Sequence, residues 1–339
     1  MSELELSIVL ETTTGGITGA CDVQRNLDEW LREAESVRPR RAEVVLVAPG
    51  PVALDERFVA AGVRVLERAG AGYYALKNAA ANDAKSAIVL FSDLDCRPGP
   101  GYARTLLDAF SDPAVGAVAG RSVYDGEGLL TRINSVNSFG DLYRGPRAFE
   151  AGFPLAHNVA VRRELYERDP WGPFVGRIGG DSHLARHVRA SGRRLVLDER
   201  LLIRHEDMTW KLRGLVERHL RDTFVPLAYG TERQRFSAPF VLACALLLRP
   251  ALRVKRVLLG GPRLGLRIVH APVVLTVEAA YWILDLALTL VVLSVPRLRR
   301  LWLDFLGPEA VTLARAVPAA VPARGRHEPA HPPAPGFER

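Results

Sequence analysis

The chain has 339 residues, of which 48% are hydrophobic and 24% are charged. This length allows one large domain or two ordinary ones, and the composition supplies an ample core. The formal net charge of +7 is compatible with a phosphorylated substrate or an anionic membrane surface. The arginines are scattered and no aromatic-rich basic module is found, so nucleic acid is not an expected partner.

The cysteines and the N-terminus give weak indications of the compartment. Cys21, Cys96 and Cys244 lie far apart and match neither a disulfide framework nor a metal motif, which favours a reducing compartment. The N-terminal segment, residues 1–5, is acidic and lacks the basic-then-apolar pattern of a signal peptide. We therefore expect the first domain to stay in the cytoplasm.

Predicted strands and helices alternate along most of the chain. Short apolar runs bounded by turn residues predict strands, and longer periodic or small-residue segments predict helices. This alternation indicates an α/β fold with a mostly parallel sheet and with sites at its carboxyl edge. The predicted strands are 6–10, 43–48, 63–66, 88–91, 115–118, 156–161, 195–197 and 201–203. The predicted helices are 22–36, 70–85 and 181–190, and a helix with an acceptor-facing loop is predicted over 125–147.

Two carboxylates follow the buried strand at 88–91. That strand ends in Asp93-Leu94-Asp95, and the Pro-Gly-Pro sequence at 98–100 then turns the chain. In an extended segment Asp93 and Asp95 point the same way, and they repel each other unless a cation lies between them. Hard oxygen ligands suit Mg²⁺ or Mn²⁺, and such an ion can hold a diphosphate. The alternative is a solvated turn at the end of a strand.

Several further short motifs follow one another in a defined order. They are Ala75-Leu-Lys-Asn, Asp93-Leu-Asp95, Gly120-Arg121, Asn158 with Arg162-Arg163, Gly180-Asp181-x-x-Leu184 with Gly192 behind it, and a strand ending at His205. In this order they resemble family 2 glycosyltransferases of the glycosyltransferase-A (GT-A) fold. The resemblance covers roughly residues 5–235. It implies transfer of a sugar from a nucleotide-sugar donor to an acceptor hydroxyl, with inversion at the anomeric carbon.

The resemblance also implies roles for the three aspartates. Asp95 would hold Mg²⁺ or Mn²⁺, Asp93 would contact the sugar nucleotide, and Asp181 would be the catalytic base. Asp181 has an alternative role, because Asp is a favoured N-cap residue and gains from the helix dipole. Its place at the start of a helix is also expected to lower its pKa and keep it ionised.

Other polar residues of these motifs are candidate substrate contacts. Lys77 and Arg121 are candidates for phosphate binding, with surface solvation as the alternative for each. Asn158 is a candidate for orienting sugar or acceptor hydroxyls, with a hydrogen bond inside a turn as the alternative. His205 is a candidate for an additional metal or phosphate ligand. His183 and His187 lie four residues apart, but no Glu follows His183 as in a zinc protease, so we interpret both as ordinary helix residues.

Three departures from the family pattern bear on function. The family usually places an acidic pair where this chain has the Ala-Pro-Gly sequence at 48–50, so nucleobase recognition needs another residue, and Glu11 is the candidate. The family's glutamate before the base is Gly180 here. No Gln-x-x-Arg-Trp motif of processive synthases follows, which argues against a polymerising enzyme.

Two other functions remain open at this stage. A sugar-phosphate nucleotidyltransferase shares a similar sheet, but its Gly-rich loop contains an Arg that the segment 12–19 lacks. A catalytically degenerate transferase that serves as a membrane scaffold is the second, and the missing acidic pair motivates it. The retained Asp93, Asp95 and Asp181 argue against the scaffold.

The C-terminal third indicates contact with a membrane. Residues 271–296 contain no Lys or Arg, and as a helix they would extend about 39 Å, enough for a hydrocarbon core of about 30 Å. Glu278 and Asp285 are costly in lipid and share one helix face, so they are expected to face a partner or the catalytic domain. Three arrangements remain as alternatives: a helix that spans the membrane, helical hairpins that lie in the cytoplasmic leaflet, and a helix buried inside a soluble protein. The flanking basic residues are Arg249, Arg253, Lys255, Arg256, Arg297, Arg299 and Arg300.

These patterns divide the chain into three parts. Residues 1–237 form the predicted catalytic domain, 238–315 the membrane-associated helical region, and 316–339 a disordered tail rich in Pro and Ala. The expected partners are a nucleotide-sugar donor, a glycan or lipid-linked acceptor and membrane lipids. The expected location is the cytoplasmic membrane, with the catalytic domain facing the cytoplasm.

Overall fold

The computed structural model describes residues 4–12, 23–37, 41–144, 154–171, 180–206 and 242–295. Within these ranges eight strands form one sheet. The strands are β1 (Leu4–Glu11), β2 (Arg41–Ala48), β3 (Arg64–Glu67), β4 (Ile88–Asp93), β5 (Cys96–Pro98), β6 (Val115–Tyr124), β7 (Asn158–Arg162) and β8 (Arg194–His205). Their order across the sheet is β3-β2-β1-β4-β7-β6-β8-β5.

The sheet is mixed, with a parallel half that contains the two carboxylates. Strands β3, β2, β1 and β4 run parallel to one another, and β6 runs parallel to β8. Strand β7 lies antiparallel between β4 and β6, and β5 pairs antiparallel with β8. The central strands β1 and β4 are buried on both faces, which explains why they read as nearly continuous apolar runs in the sequence. The predicted α/β fold is confirmed.

Nine α-helices lie within the described residues. They are α1 (Val23–Ser36), α2 (Glu56–Ala60), α3 (Tyr73–Asp83), α4 (Tyr102–Ala109), α5 (Leu129–Phe139), α6 (Arg163–Arg168), α7 (Gly180–Ala190), α8 (Arg249–Gly260) and α9 (Ala271–Ser294). One core layer joins α1, α2 and α4 to the sheet through Trp30, Phe58 and Leu106. The opposite layer joins α3, α6 and α7 to it through Leu76, Leu165 and Leu184. The sheet is therefore covered on both faces, and its functional residues must lie at its edge.

The helices α2 and α4 are absent from the sequence prediction, and two further differences involve β8. The predicted strands at 195–197 and 201–203 are one continuous strand, which pairs with β6 across an irregularity between Ala119 and Arg121. The segment Cys96–Pro98 is a short strand, although the sequence predicts a turn there. It pairs antiparallel with β8, so that Cys96 is opposite His205. This pairing brings the Asp-Leu-Asp segment next to the histidine.

The C-terminal helices pack on α5. Asn137 Nδ2 donates to Glu278 Oε1 at 2.6 Å, and the hydroxyl of Tyr281 donates to Asn134 Oδ1 at 2.7 Å. Arg256 of α8 donates to the carbonyl of Asn137 at 3.0 Å. The expectation that Glu278 faces the catalytic domain is thus confirmed. Helix α8 is preceded by a π-helical turn, Cys244–Leu248, and short 3₁₀ turns occur at Gly140–Arg144, Pro262–Leu264 and Ile268–His270.

One stretch of the described residues, Ile268–Val291, is long and apolar enough to cross a membrane. Only 17% of its apolar window is buried, whereas the core helix of a soluble protein is mostly buried. Asp285, in contrast, is fully buried. The predicted boundary at 237/238, the arginines from 297 to 300 and the tail at 316–339 lie outside the described residues.

Candidate functional site

The Asp-Leu-Asp segment is fixed by backbone hydrogen bonds from both sides. The amide of Leu94 donates to the carbonyl of Glu11, the last residue of β1, at 2.8 Å. The amide of Glu206, directly after β8, donates to the carbonyl of Asp95 at 2.9 Å. The turn that carries both carboxylates is therefore an extension of the sheet rather than a solvated loop.

Helix α1 holds the same turn with two side chains. Asn26 Nδ2 donates to the carbonyl of Leu94 at 2.7 Å, and Trp30 Nε1 donates to the carbonyl of Cys96 at 2.9 Å. Asn26 and Trp30 are both completely buried. Sequence reasoning missed these two residues, since nothing in the pattern of α1 indicates which loop it touches. They position the turn from which Asp95 projects.

Asp93 is paired with a buried lysine. Lys77 Nζ lies 2.6 Å from Asp93 Oδ1, and the hydroxyl of Tyr73 is 3.0 and 3.1 Å from the two carboxylate oxygens. Burial raises the pKa of Asp93, but the Lys77 ammonium and the nearby His157 and His205 together outweigh it, so the pKa lies below its ordinary value. Asp93 is thus kept ionised inside the protein.

Lys77 acts on Asp93 and on the backbone around it. Its Nζ also donates to the carbonyls of Ser92 at 3.1 Å and Ala156 at 2.7 Å. Lys77 is fully buried, so the alternative of surface solvation is wrong. The sequence predicts a phosphate contact for Lys77; in the structure the three donors of the ammonium go to chain oxygens.

Asp95 and His205 form a group that fits a divalent cation. The Nε2 of His205 lies 3.7 Å from Asp95 Oδ1, and Asp95, Cys96 and His205 offer ligand atoms within 4.8 Å of one another. Burial raises the pKa of Asp95, and the neighbouring Asp93 raises it further. A buried carboxylate beside a second carboxylate is destabilised without a cation, and the oxygen and imidazole donors suit Mg²⁺ or Mn²⁺.

A second histidine approaches the same place. Asp93, His157 and His205 also offer ligand atoms within 4.8 Å of one another. The rings of His157 and His205 are 5.2 Å apart and nearly perpendicular. Burial lowers the pKa of His157 to about 3, and the nearby His205 lowers it as well. The imidazole of His157 is therefore neutral at physiological pH and keeps a lone pair on one nitrogen.

Asp181 lies in the first turn of α7 and contacts Tyr74. The Tyr74 hydroxyl is 3.4 Å from Asp181 Oδ1. Burial raises the pKa of Asp181 to about 7, although Lys77 and the Tyr74 hydroxyl act in the opposite direction. The expectation of a lowered pKa is therefore wrong, because burial outweighs the favourable end of the helix. A Cβ on Gly180 would lie 2.5 Å from Cε1 of Tyr74, so the tyrosine occupies the place of the family's glutamate.

Two consecutive tyrosines connect the two groups of carboxylates. Tyr73 donates to Asp93 and Tyr74 to Asp181, and their rings meet edge to face with centroids 5.0 Å apart. Both residues begin α3, and Lys77 lies about one turn further along the same helix. Helix α3 therefore sets the separation of Asp93 from Asp181. The sequence offers only a weak signal for this role, a Tyr pair before a run of small residues.

Asn158 and Arg121 are engaged with the chain itself. The Asn158 amide accepts from the Tyr102 hydroxyl at 2.5 Å and donates to the carbonyl of Arg121 at 2.7 Å, and the residue is fully buried. The guanidinium of Arg121 pairs with Glu199 and lies 4.9 Å from the centre of the Tyr143 ring. The described contacts do not bring these two side chains to the carboxylates. Their direct contact with substrate stays a prediction.

Glu11 lies next to the turn that carries the two carboxylates. It is fully buried at the end of β1, in register with Asp93 on β4. Beside it, Thr12 and Leu94 line a pocket of about 520 Å³. The segment 48–50 lines the same pocket, so its wall is apolar where the family has an acidic pair. The pocket is thus continuous with the turn that carries Asp93 and Asp95.

The two histidines of α7 are ordinary helix residues, as the sequence predicts. His183 Nε2 lies 2.8 Å from Asp169 Oδ1, and His187 Nδ1 lies 3.3 Å from Oδ2 of the same carboxylate. His187 Nε2 also lies 2.9 Å from the carbonyl of Leu165. These contacts fasten α7 to the end of α6. Among the described residues, the histidines at the site are therefore His205 and His157.

A mixed sheet of this order, with carboxylates at the end of β4 and an aspartate at the start of a later helix, has the architecture of the GT-A fold. Residues 52–169 match the sequence model described as glycosyl transferase family 2. This match confirms the resemblance to that family, and the chain is a glycosyltransferase. No curated protein matches the chain significantly in sequence.

Solved structures agree with this assignment at the level of the fold. A mannosyltransferase from Pyrobaculum calidifontis in complex with GDP-Man and Mn²⁺ is 19% identical, with 86% of this chain and 88% of that chain covered and a TM-score of 0.54. A glucosyl-3-phosphoglycerate synthase from Mycobacterium tuberculosis is 19% identical, with 66% and 78% covered and a TM-score of 0.45. A mannosyl-3-phosphoglycerate synthase from Rubrobacter xylanophilus is 17% identical, with 69% and 76% covered and a TM-score of 0.45. The first of these confirms the GT-A fold.

Proposed function

We propose that this glycosyltransferase moves a sugar from a nucleotide-sugar donor to an acceptor hydroxyl, with inversion, a divalent metal and membrane attachment. The observation that carries the proposal is that one helix, α3, contacts both carboxylate groups: Tyr73 contacts Asp93, next to Asp95 and His205, and Tyr74 contacts Asp181. One group can receive the diphosphate and the other can receive the proton of the acceptor. The mannosyltransferase of the same fold, solved with GDP-Man and Mn²⁺, supports a donor of this kind.

The donor half of the site has a charged and an apolar part. Asp93, ionised through its pair with Lys77, is placed to bind donor hydroxyls. The pocket beside Leu94 has the volume for a nucleobase, with Thr12, Gln24 and Asp55 among its polar lining residues and Glu11 directly before Thr12. A Mg²⁺ or Mn²⁺ ion held by Asp95 and His205 would neutralise the charge that develops on the departing diphosphate.

The acceptor half of the site depends on Asp181. The acceptor oxygen forms a bond to the anomeric carbon while the bond from that carbon to the diphosphate oxygen breaks. The acceptor proton passes to the Asp181 carboxylate, whose pKa of about 7 suits a general base near neutral pH. Attack from the side opposite the leaving group inverts the configuration. The Tyr74 hydroxyl orients the carboxylate.

Membrane attachment is supported by the C-terminal helices. Leu258 on α8 is 68% exposed, and Ile268 and Val269 before α9 are 93% and 72% exposed. Exposed apolar residues beside the basic residues of α8 are typical of a helix at an anionic lipid surface. We propose that this surface lies on the cytoplasmic leaflet and presents the site to a lipid-linked or glycan acceptor.

The test is a ligand screen on the full-length protein. Sugar nucleotides are screened for thermal stabilisation and for hydrolysis, each with Mn²⁺, with Mg²⁺ and with EDTA. We expect at least one sugar nucleotide to stabilise the protein only with metal, and the effect to be lost in Asp95→Asn. As a matched control, Asp169→Asn removes a carboxylate that only contacts α7. The proposal is wrong if turnover in EDTA equals that with metal, or if no sugar nucleotide is bound.

A further inference from the structure

His157 is a half-buried imidazole at the site to which the family motif gives no role. The motif begins at the next residue, Asn158, and the Asp-x-Asp and His205 elements do not include it. Its own carbonyl accepts from Ser92 Oγ at 3.0 Å, directly before Asp93. The backbone of His157 therefore lies next to the end of β4. Its ring contacts the ring of His205 at the end of β8.

We propose that His157 is a further protein ligand of the divalent metal, and that it makes the site select Mn²⁺ over Mg²⁺. The inference rests on the proposed metal dependence and adds to it the identity of a ligand and the choice of ion. It goes beyond Asp95, whose role the family resemblance implies, and beyond His205, which the sequence offers as a candidate metal or phosphate ligand.

The geometry places His157 within reach of the same ion. Its ligand atom lies within 4.8 Å of those of Asp93 and His205. Bonds from a small divalent ion to nitrogen or oxygen are about 2.0–2.2 Å long, so ligand atoms on opposite sides of one ion are about 4 Å apart. A separation of up to 4.8 Å is thus close to that of two ligands of one ion. His205 belongs to both groups of ligand atoms, the one with Asp93 and His157 and the one with Asp95 and Cys96.

The surroundings of the ring are those of a metal-bound histidine. Ser122 Oγ lies 3.0 Å from Nε2 of His157, and the hydroxyl can accept the proton of that nitrogen. The other nitrogen then carries the lone pair. A hydrogen bond to one ring nitrogen commonly fixes the tautomer and orientation of a metal ligand. The Phe139 ring packs against the imidazole, with centroids 5.7 Å apart, and limits its rotation.

The choice of ion follows from the second imidazole. Mg²⁺ strongly prefers oxygen ligands and keeps several waters, whereas imidazole nitrogen binds first-row transition metals more tightly. Asp93 contributes little to a choice of ion, because Lys77 already neutralises its charge. A site that holds both His205 and His157 has two nitrogen donors and is therefore shifted towards Mn²⁺.

The test measures metal binding without turnover. Full-length protein is titrated with Mn²⁺ and with Mg²⁺, and pulsed electron paramagnetic resonance of the bound Mn²⁺ reports the coupled imidazole nitrogens. We expect couplings from two imidazoles in the wild type and from one in His157→Asn. We expect Mn²⁺ affinity to fall about tenfold or more in that variant, as for the loss of a supporting metal contact, and Mg²⁺ affinity to fall less. His183→Asn is the matched control, since His183 contacts Asp169.

The result also separates this inference from the proposed function. If His205→Ala and Asp95→Asn abolish Mn²⁺ binding while His157→Asn keeps wild-type affinity, the proposed metal site stands and the His157 inference is overturned. If none of the three changes affects binding, the proposed metal site itself is wrong. Thermal unfolding checks that each variant is folded. Should His157→Asn not fold, the wild-type spectrum decides, because coupling from a single imidazole contradicts the inference.

Discussion

The hydroxyl of Tyr74 lies 3.4 Å from Oδ1 of Asp181, although 107 positions separate the two residues. A hydrogen bond of this length is weak, and it strengthens when the carboxylate is ionised. Tyr74 thus favours the charged form of Asp181, while burial favours the neutral form and prevails. The proposed base therefore changes from its neutral to its ionised form close to physiological pH.

The first prediction is the pH dependence of turnover. Because Asp181 accepts a proton only when ionised, we expect kcat to rise with pH through about 7, the pKa of this carboxyl. In Tyr74→Phe the donor to the ionised form is lost, so the inflection should move to higher pH. Initial rates at saturating donor and acceptor measure both profiles. A Tyr74→Phe profile that coincides with the wild type would show that the hydrogen bond does not tune the base.

The second prediction is the loss of turnover in Asp181→Asn. The amide keeps the shape of the side chain but cannot accept the acceptor proton, so we expect turnover to fall about a hundredfold or more. Binding of the sugar nucleotide should stay near the wild-type level, because the donor half of the site is untouched. Steady-state kinetics and a binding titration measure the two effects. Near-normal turnover would assign Asp181 to helix capping and place the base elsewhere.

The third prediction concerns the stability of the same variant. The folded-state pKa of Asp181 lies above its ordinary value of 3.8 because the buried site disfavours the charge. The wild type is therefore expected to lose stability as pH rises from the ordinary pKa through about 7, while an amide carries no such penalty. We expect Asp181→Asn to melt at a higher temperature than wild type well above pH 7 and to lose that advantage in acid. An equal difference in Tm at both pH values would contradict this.

The fourth prediction concerns the buried pair of Lys77 and Asp93. Replacing Lys77 with Met leaves a buried carboxylate without its counter-charge, which typically costs about 3–5 kcal/mol. The variant Lys77→Met should therefore be strongly destabilised in urea unfolding. Adding Asp93→Asn should recover part of the loss, because the uncompensated charge is removed. The assignment fails if Lys77→Met alone unfolds at the wild-type urea concentration.

The sequence predicted those parts of the site that depend on local patterns. The strand before Asp93, the helix after Gly180 and the strand that ends at His205 all follow from apolar runs and turn residues. The strand β5 was missed because three residues form a strand only through pairing with β8. The raised pKa of Asp181 was missed for a similar reason, since burial depends on how α3 and α7 pack together.

Tertiary contacts also decided which polar residues enter the site. Asn26 and Trp30 are a core-facing pair on an amphipathic helix, and only the fold shows that they hold the Asp-Leu-Asp turn. Asn158 reads as a substrate contact in the motif, yet Tyr102 and the carbonyl of Arg121 satisfy its amide. Side-chain partners that lie far apart in sequence leave no periodic signal.

The C-terminal helices allow a test of membrane attachment that does not require their removal. Deleting the region from residue 238 would also uncover Ile133 and Val136, which form a small core with Leu266 and Val274. A truncated protein could aggregate for that reason alone. Substitutions at exposed positions leave this core intact and are therefore the sharper experiment.

The fifth prediction is that Ile268 and Val269 contact lipid. They are the most exposed large apolar pair before α9, at 93% and 72%, so changing both to Ser removes little packing. We expect full-length protein to float with vesicles that contain anionic lipid, and the double variant to bind them at least about tenfold more weakly, because burial of each apolar side chain contributes about 1.5–3 kcal/mol. Val59→Ser is the matched control, because Val59 is 61% exposed on α2. Equal flotation of the double variant and the control would show that this surface does not attach the protein to lipid.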